Sequence, residues 1–309
     1  MVFDWRYDHG MVSSLTLEVF MAKDGSKVFI VYFSPAGSTR HVARLMEKRF
    51  RELGIEPLLF NLAESSGLSQ VISEQIREDS CLIVGSPVYV SHAVPPIMQF
   101  LAELPPIKAT AVPFVTWGGA SSGIALFEMA RELDKKGFTI LGAAKVLAVH
   151  CLMWQLEHPL GEGHPNSEDE RMIQKLVDEI NREMQSHSLK GMDLSELAYQ
   201  KEEIHAEMEK MSLEVAKVHM PIREVDEELC TQCEMCAEVC PTASVEFAPY
   251  PVFGESCIYC FSCMRNCPEG AIKANLSEIW QRIRERAEFF VERPYTKIFL
   301  ASHLPEKEA

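Results

Sequence analysis

Two runs of cysteine limit what this chain can fold into more than any other feature. Cys230, Cys233, Cys236 and Cys240 follow the spacing C-x2-C-x2-C-x3-C, and Pro241 comes next. Cys257, Cys260, Cys263 and Cys267 repeat it, followed by Pro268. Thiolates are soft ligands that select iron–sulfur clusters. Two residues between cysteines let three thiolates from one tight loop cap three irons of a cube. Structural zinc uses pairs of pairs, with four ligands closing one site, and two runs of four do not fit that. A disulfide framework suits short secreted chains, and this chain has 309 residues.

The doubled run resembles the ligand run of bacterial two-cluster ferredoxins. In that family the fourth cysteine of each run ligates the other cluster. The resemblance implies one 4Fe–4S cluster on Cys230, Cys233, Cys236 and Cys267. It implies a second on Cys257, Cys260, Cys263 and Cys240. Cys240-Pro241-Thr242-Ala243-Ser244-Val245 parallels Cys267-Pro268-Glu269-Gly270-Ala271-Ile272, so residues 221–276 are an internal repeat and form a small α+β ferredoxin-like module. Three basic residues there, Arg223, Arg265 and Lys273, stand against nine acidic ones, a formal charge of −6. Many such modules have glycine after the second cysteine of a run. Glu234 and Phe261 stand there instead, which changes backbone N–H access to the sulfurs and with it the potential.

The first half alternates strand and helix. Lys27 to Phe33 is an apolar run, a strand buried on both faces as in a parallel sheet. Ser34-Pro35-Ala36-Gly37-Ser38-Thr39 follows, then helical apolar spacing from Arg40 to Leu53, ended by Gly54. A strand, a small-residue turn and a helix N-terminus make an anion site, because N–H groups converge and the helix dipole favours phosphate. Pro57 to Asn61 reads as a weak strand, Leu68 to Arg77 as a short helix and Cys81 to Val84 as a buried strand. The loop Gly85-Ser86-Pro87-Val88-Tyr89-Val90 comes next, then a helix from Pro95 to Leu104. Val112 to Thr116 is a strand, with Trp117-Gly118-Gly119-Ala120-Ser121-Ser122-Gly123 after it. A helix from Ile124 to Lys136, a last strand from Phe138 to Leu147 and a helix from Glu168 to Gln185 capped by Ser167 complete the pattern. This is a doubly wound α/β domain with its site in the loops after strand C-termini.

Residues 27–187 resemble a flavodoxin. In that family a first loop of pattern [ST]-x-[ST]-G-x-[ST] wraps the FMN phosphate. Ser34, Gly37 and Thr39 match it, and Ala36 stands where a hydroxyl is usual. The resemblance implies FMN held by Ser34, Pro35, Ala36, Gly37, Ser38 and Thr39. A second loop would supply Pro87, Val88, Tyr89 and Val90. A third would supply Thr116, Trp117, Gly118, Gly119 and Gly123. Tyr89 and Trp117 are then the candidates to flank the flavin ring, and His92 a candidate proton donor. The whole chain resembles the flavodoxin–ferredoxin fusion proteins of anaerobic metabolism. That resemblance implies an electron-transfer protein relaying electrons between two 4Fe–4S clusters and FMN. An FMN-dependent reductase of a quinone or other small acceptor is the alternative, as is an iron–sulfur module with an empty flavin site. No GxGxxG follows a strand, so a built-in NAD site is unsupported.

The segments outside these two parts are read more coarsely. The expected division is a flavodoxin-like domain over 1–187, with 1–26 as an extension. A helical linker over 188–220, the ferredoxin-like part over 221–276, and a helix and tail over 277–309 follow. Leu15 to Met21 has β character and Ala22 to Ser26 reads as a turn. The linker pattern opens at Met192 with Leu197, Ile204, Met208, Met211, Leu213 and Val215, and reads as an amphipathic helix packed on one domain until Pro221. Ser277 caps a helix to about Val291, and the tail packs through Ile298, Phe299 and Leu300. Cys81 and Cys151, outside the runs, read as buried thiols. A net charge of −15 argues against nucleic acid, and it either steers the protein towards basic faces of partners or serves solubility alone; the resemblance implies that such partners are redox proteins. A homo-oligomer is compatible with the sequence. No run reaches the ~18 apolar residues of a membrane span, and no signal peptide core opens the chain, so the expected location is the cytoplasm.

Overall fold

A computed structural model describes residues 28–64, 68–186 and 188–301. The strand and turn expected within 15–26 and the tail after 301 lie outside the described residues. Five parallel strands form the centre of the main sheet. They are β1 (Val28–Tyr32), β2 (Leu58–Asn61), β3 (Cys81–Tyr89), β5 (Thr110–Trp117) and β7 (Gly142–Leu147). Two short pieces, β4 (His92–Ala93) and β6 (Thr139–Ile140), pair with β3 and β5. The order across the sheet is β2-β1-β3-β5-β7, and β12 (Lys297–Leu300) pairs antiparallel with β7 at the edge. With β4 and β6 set aside, the parallel strands run 2-1-3-4-5, the doubly wound order of flavodoxin-like sheets.

Period-two alternation explains why β1 is apolar throughout. Phe29 and Val31 enter one apolar core, and Val28, Ile30 and Tyr32 enter another on the opposite face. Helices cover both faces. These are α1 (Ser38–Glu52), α2 (Leu68–Gln75), α3 (Pro95–Glu103), α4 (Ala125–Lys135) and α5 (Ser167–Met184). On α1, Val42, Ala43, Met46 and Phe50 are fully buried, the i, i+4 stripe expected of a helix on a core. Each such large side chain contributes roughly 1.5–3 kcal/mol. Asn166 caps α5 in a capping box with Asp169, one residue ahead of the expected Ser167.

Two expectations are corrected here. β3 does not stop at Val84; it runs to Tyr89, because Val88 and Tyr89 pair with Ala93 and His92 of β4. The turn between them holds Val90 at φ 51° and Ser91 at φ 73°. The linker is not one helix. It is a 3-10 turn (Leu194–Leu197), α6 (Glu202–Glu209) and α7 (Leu213–Lys217), the last capped by Ser212. Its apolar residues meet different neighbours: Leu197 and Leu213 join the core under α3 and α4, while Met208 packs with Ile124 and Phe290.

The ferredoxin-like part contains β8 (Glu224–Val225), α8 (Met235–Glu238), β9 (Val245–Phe247), β10 (Pro251–Phe253), α9 (Ser262–Arg265) and β11 (Ile272–Lys273). β8 pairs with β11 and β9 with β10, both antiparallel. α10 (Ser277–Phe290) follows, preceded by Leu276 at its N-cap. The chain then returns to the main sheet as β12, so the segment expected to be a tail is its sixth full strand. Among the described residues no helix is long and apolar enough to cross a membrane.

Candidate functional site

The two cysteine runs fold alike, residue for residue. Gln232 and Tyr259 are left-handed at φ 58° and 54°, and Glu234 and Phe261 at φ 61° and 56°. Ala243 and Gly270 match at φ 49° and 61°. A non-glycine residue in this region costs about 1–2 kcal/mol. Such strain persists where the surroundings over-determine the backbone, which marks functional sites. Here the reward is hydrogen bonding to sulfur. Tyr259 N–H donates to Cys257 Sγ at 3.3 Å, Ser244 N–H to Cys240 Sγ at 3.2 Å and Ala271 N–H to Cys267 Sγ at 3.3 Å. The departure from glycine at Glu234 and Phe261 therefore leaves the left-handed turns in place, at an energetic cost.

Cys230, Cys233, Cys236 and Cys267 line one small cavity of about 20 Å³. This brings the fourth cysteine of the second run to the first three of the first. In the other group Cys257, Cys260 and Cys263 are 8%, 6% and 5% exposed. They come from one loop, and Cys240 stands beside Thr242 and Ser244. Thiols in this number around a cavity fit a cluster.

At the other end of the chain, the loop after β1 and the C-terminal ends of β3 and β5 converge as the fold requires. Ser34, Pro35, Ala36, Ser38, Thr39, Pro87, Val88, Tyr89, Thr116, Trp117 and Gly118 line one cavity of about 40 Å³. Gly37 is the N-cap of α1 at φ 91°. Ser34 Oγ accepts from Arg40 N–H at 3.0 Å, and the Thr39 and Thr116 hydroxyls meet at 2.8 Å, tying the first loop to the third. Trp117 is 2% exposed, and its Nε1 is a buried donor without a partner among the described residues. An orphaned donor in this wall fits a ligand with acceptor atoms. Gly118 has to be glycine, since a Cβ there would stand 2.6 Å from the His150 ring. Gly119 and Gly123 are left-handed, at φ 78° and 63°. Gly37, Val90, Gly119 and Gly123 do not line this cavity; Val90 lines a second one, described next.

That second cavity, about 360 Å³, shares Val88, Tyr89, Gly118, His150 and Cys151 with the first and is closed by the linker and α10. Burial pushes the His150 pKa down to about 4, with the Arg286 charge adding to it, so its ring is neutral. Cys81 is a fully buried thiol as expected. Cys151 is half-buried: it lies on the cavity wall, 3.7 Å from Tyr89 OH, and burial pushes its thiol pKa up. The loop after β7, with His150 and Cys151, is a fourth wall that the sequence reading missed. Carrying the strand-end rule to the last strand would have found it. His92 is neither a surface histidine nor a free donor. Its ring nitrogens meet Glu128 and Met208 O, each at 2.9 Å.

The ferredoxin-like part docks onto the first loop. Ser262 Oγ donates to Pro35 O at 2.6 Å, and Arg265 Nη2 donates to the same oxygen at 3.2 Å. Cys260 and Ile258 enter the apolar core against which Tyr89 packs.

The 4Fe–4S binding domain family matches residues 223–246. An uncharacterized protein of Methanocaldococcus jannaschii is 30% identical over 132 residues, 43% of this chain and 32% of that protein. An uncharacterized polyferredoxin-like protein of the same organism is 32% identical over 89 residues, 24% of this chain and 52% of that one. The chain thus spans about a third of one of these curated relatives and about half of the other. Among solved structures, rubredoxin oxygen:oxidoreductase from Desulfovibrio gigas is 24% identical at a TM-score of 0.42, covering 55% of this chain and 38% of that one. A flavodoxin from the domain Archaea is 17% identical at 0.41, covering 52% and 99%. The match to the 4Fe–4S binding domain family stands beside a parallel sheet of doubly wound, flavodoxin-like order. More particularly, the chain fits a flavodoxin–ferredoxin fusion.

Proposed function

We propose that this protein relays electrons between two 4Fe–4S clusters and a bound FMN within one chain. The observation that carries the reading is the contact between Ser262, in the second cysteine run, and Pro35, in the proposed phosphate loop, at 2.6 Å. When bound, the clusters supply single-electron steps and FMN supplies one- or two-electron storage. Cys230, Cys233, Cys236 and Cys267 would hold one cluster, and Cys257, Cys260, Cys263 and Cys240 the other. Ser34, Gly37, Ser38 and Thr39 would receive the phosphate at the N-terminus of α1. Tyr89 and Trp117 would border the ring. The work of the chain's own residues is burial, orientation and hydrogen bonding, and no catalytic base is needed. The charge of −6 on the ferredoxin-like part suits a redox partner with a basic docking face.

The test begins with anaerobically purified protein. About eight irons per chain and one acid-released FMN are expected. Reduction of the clusters should be followed by reduction of the flavin at a rate independent of protein concentration. Iron without flavin would leave an iron–sulfur module with an empty site, and a concentration-dependent rate would mean transfer between chains. One observation favours a second reading, a reductase of a quinone or other small acceptor: the cavity of about 360 Å³ beside Tyr89. Turnover of a small quinone by reduced protein separates the two.

A further inference from the structure

We propose that Arg223 sets the order in which the two clusters accept electrons, by fixing a positive charge against the Cys257–Cys260–Cys263 loop. This rests on the two-cluster reading above. Arg223 Nη1 donates to Cys257 Sγ at 3.1 Å. The guanidinium carbon stands 4.0 Å from the Phe253 ring centroid and 4.8 Å from that of Tyr259. Planar contact with two rings holds the fork where it is, which a lysine could not reproduce. Tyr259 N–H adds a second donor to the same sulfur. Arg265 is a further guanidinium on this side, bonded to Cys260 O at 3.2 Å.

The other set has the opposite surroundings. Glu234 and Glu269 line its cavity, and Cys233 is exposed. Two effects therefore compete. Burial disfavours adding an electron to a cluster that is already negative, so on burial alone the inner set would be the harder to reduce. Cationic and N–H donors at the sulfurs favour the reduced state. At the effective dielectric of a protein, a full charge even 8 Å from the added electron shifts the partition by about tenfold or more. Arg223 is in hydrogen-bond contact, so the guanidinium wins and the inner set has the higher potential. One electron from a donor protein would enter at the Cys230–Cys233–Cys236 set, whose Cys233 is exposed. It would then pass to the Cys257–Cys260–Cys263 set, beside Pro35, with no proton moved.

Redox titration of the intact anaerobic protein, followed by electron paramagnetic resonance, tests this. The wild type should show two clusters titrating at separate potentials. Arg223→Gln should lower only the higher of the two, equivalent to about a tenfold or greater loss of electron occupancy relative to the other cluster. Arg223→Lys should lower the same potential by less, and Arg284→Gln on exposed α10 should move neither. Unmoved potentials in Arg223→Gln, or a shift confined to the lower one, overturn the proposal. If Arg223→Gln fails to hold its clusters, unmoved potentials in Arg223→Lys overturn it as well. A wild type holding fewer than two clusters overturns the reading on which it rests, and the proposal with it.

Discussion

Replacing Glu292 by alanine should cost the protein about 4 kcal/mol. Glu292 lies between α10 and β12, and its carboxylate meets Lys145 Nζ at 2.5 Å. The same carboxylate accepts from Ser122 N–H at 2.8 Å, and from Ser121 Oγ and Gln200 Nε2 at 3.1 Å each. The two charged side chains are only 3% and 9% exposed, so water cannot take the place of a missing partner. Lys145 also stands 5.1, 4.7 and 4.8 Å from the rings of Trp117, Tyr199 and Tyr295. Losing one member of a buried pair leaves an uncompensated charge, at about 3–5 kcal/mol, whereas replacing both by apolar residues is often neutral. Urea unfolding followed by tryptophan fluorescence reads the loss, and Lys145→Met with Glu292→Leu should recover most of it. A cost under about 1 kcal/mol for Glu292→Ala, or a double variant as unstable as the single, would refute the reasoning. The sign with pH follows from the same contacts. Burial pushes the Glu292 carboxyl up, but Lys145 and Ser122 outweigh it and hold the pKa below its ordinary value. A depressed folded pKa contributes stability that is present above the unfolded value of about 4.3 and lost as pH falls through the folded one. Glu292→Gln should remove that acid-side loss.

Three further outcomes are expected. Cys240→Ser should damage the cluster of the Cys257, Cys260 and Cys263 loop and spare the one beside Cys230, read by electron paramagnetic resonance; loss of the neighbouring cluster instead would reverse the cross-ligation. Gly37→Val forces a β-branched side chain into a left-handed backbone at φ 91°, so FMN affinity should fall by about tenfold or more at near-normal iron content. Full flavin retention would remove the phosphate-loop assignment. His92 has its pKa raised chiefly by its hydrogen bond to Glu128, burial opposing. A raised folded pKa contributes stability that is complete below about pH 6.5 and lost as pH rises through the folded value. Thermal melting of Glu128→Gln should show a flatter profile across that window, and an unchanged one would remove the ion-pair reading.

What could be read from the sequence was local. The apolar run of β1, the turn at Gly37 and the cysteine spacing each carry their signal within a dozen residues. Gly85-Ser86-Pro87 reads locally as a strand end, yet pairing with β5 carries β3 to Pro87 and pairing with β4 carries it to Tyr89. The linker shows helical spacing, yet it breaks into three pieces because its apolar residues are shared among separate neighbours rather than one groove. Ser262 on Pro35 joins residues 227 positions apart, and no local pattern reports such a contact. Lys145 and Glu292, 147 positions apart, are legible only as one lysine in a strand and one glutamate after a helix.

The return of β12 to the edge of β7 has a consequence for how the chain can be taken apart. Both connections of the ferredoxin-like part begin on the same sheet, one after α5 and the other before β12. It is therefore an insertion looped out between two strands, and it is held at both ends. A recombinant fragment stopped in the linker would strip β7 of its neighbour and present a bare edge of backbone N–H and C=O groups, a template for intermolecular pairing. Dissection would succeed better by nicking the intact chain, or by a splice placed after α5 that keeps both α5 and residues 297–300 on the sheet.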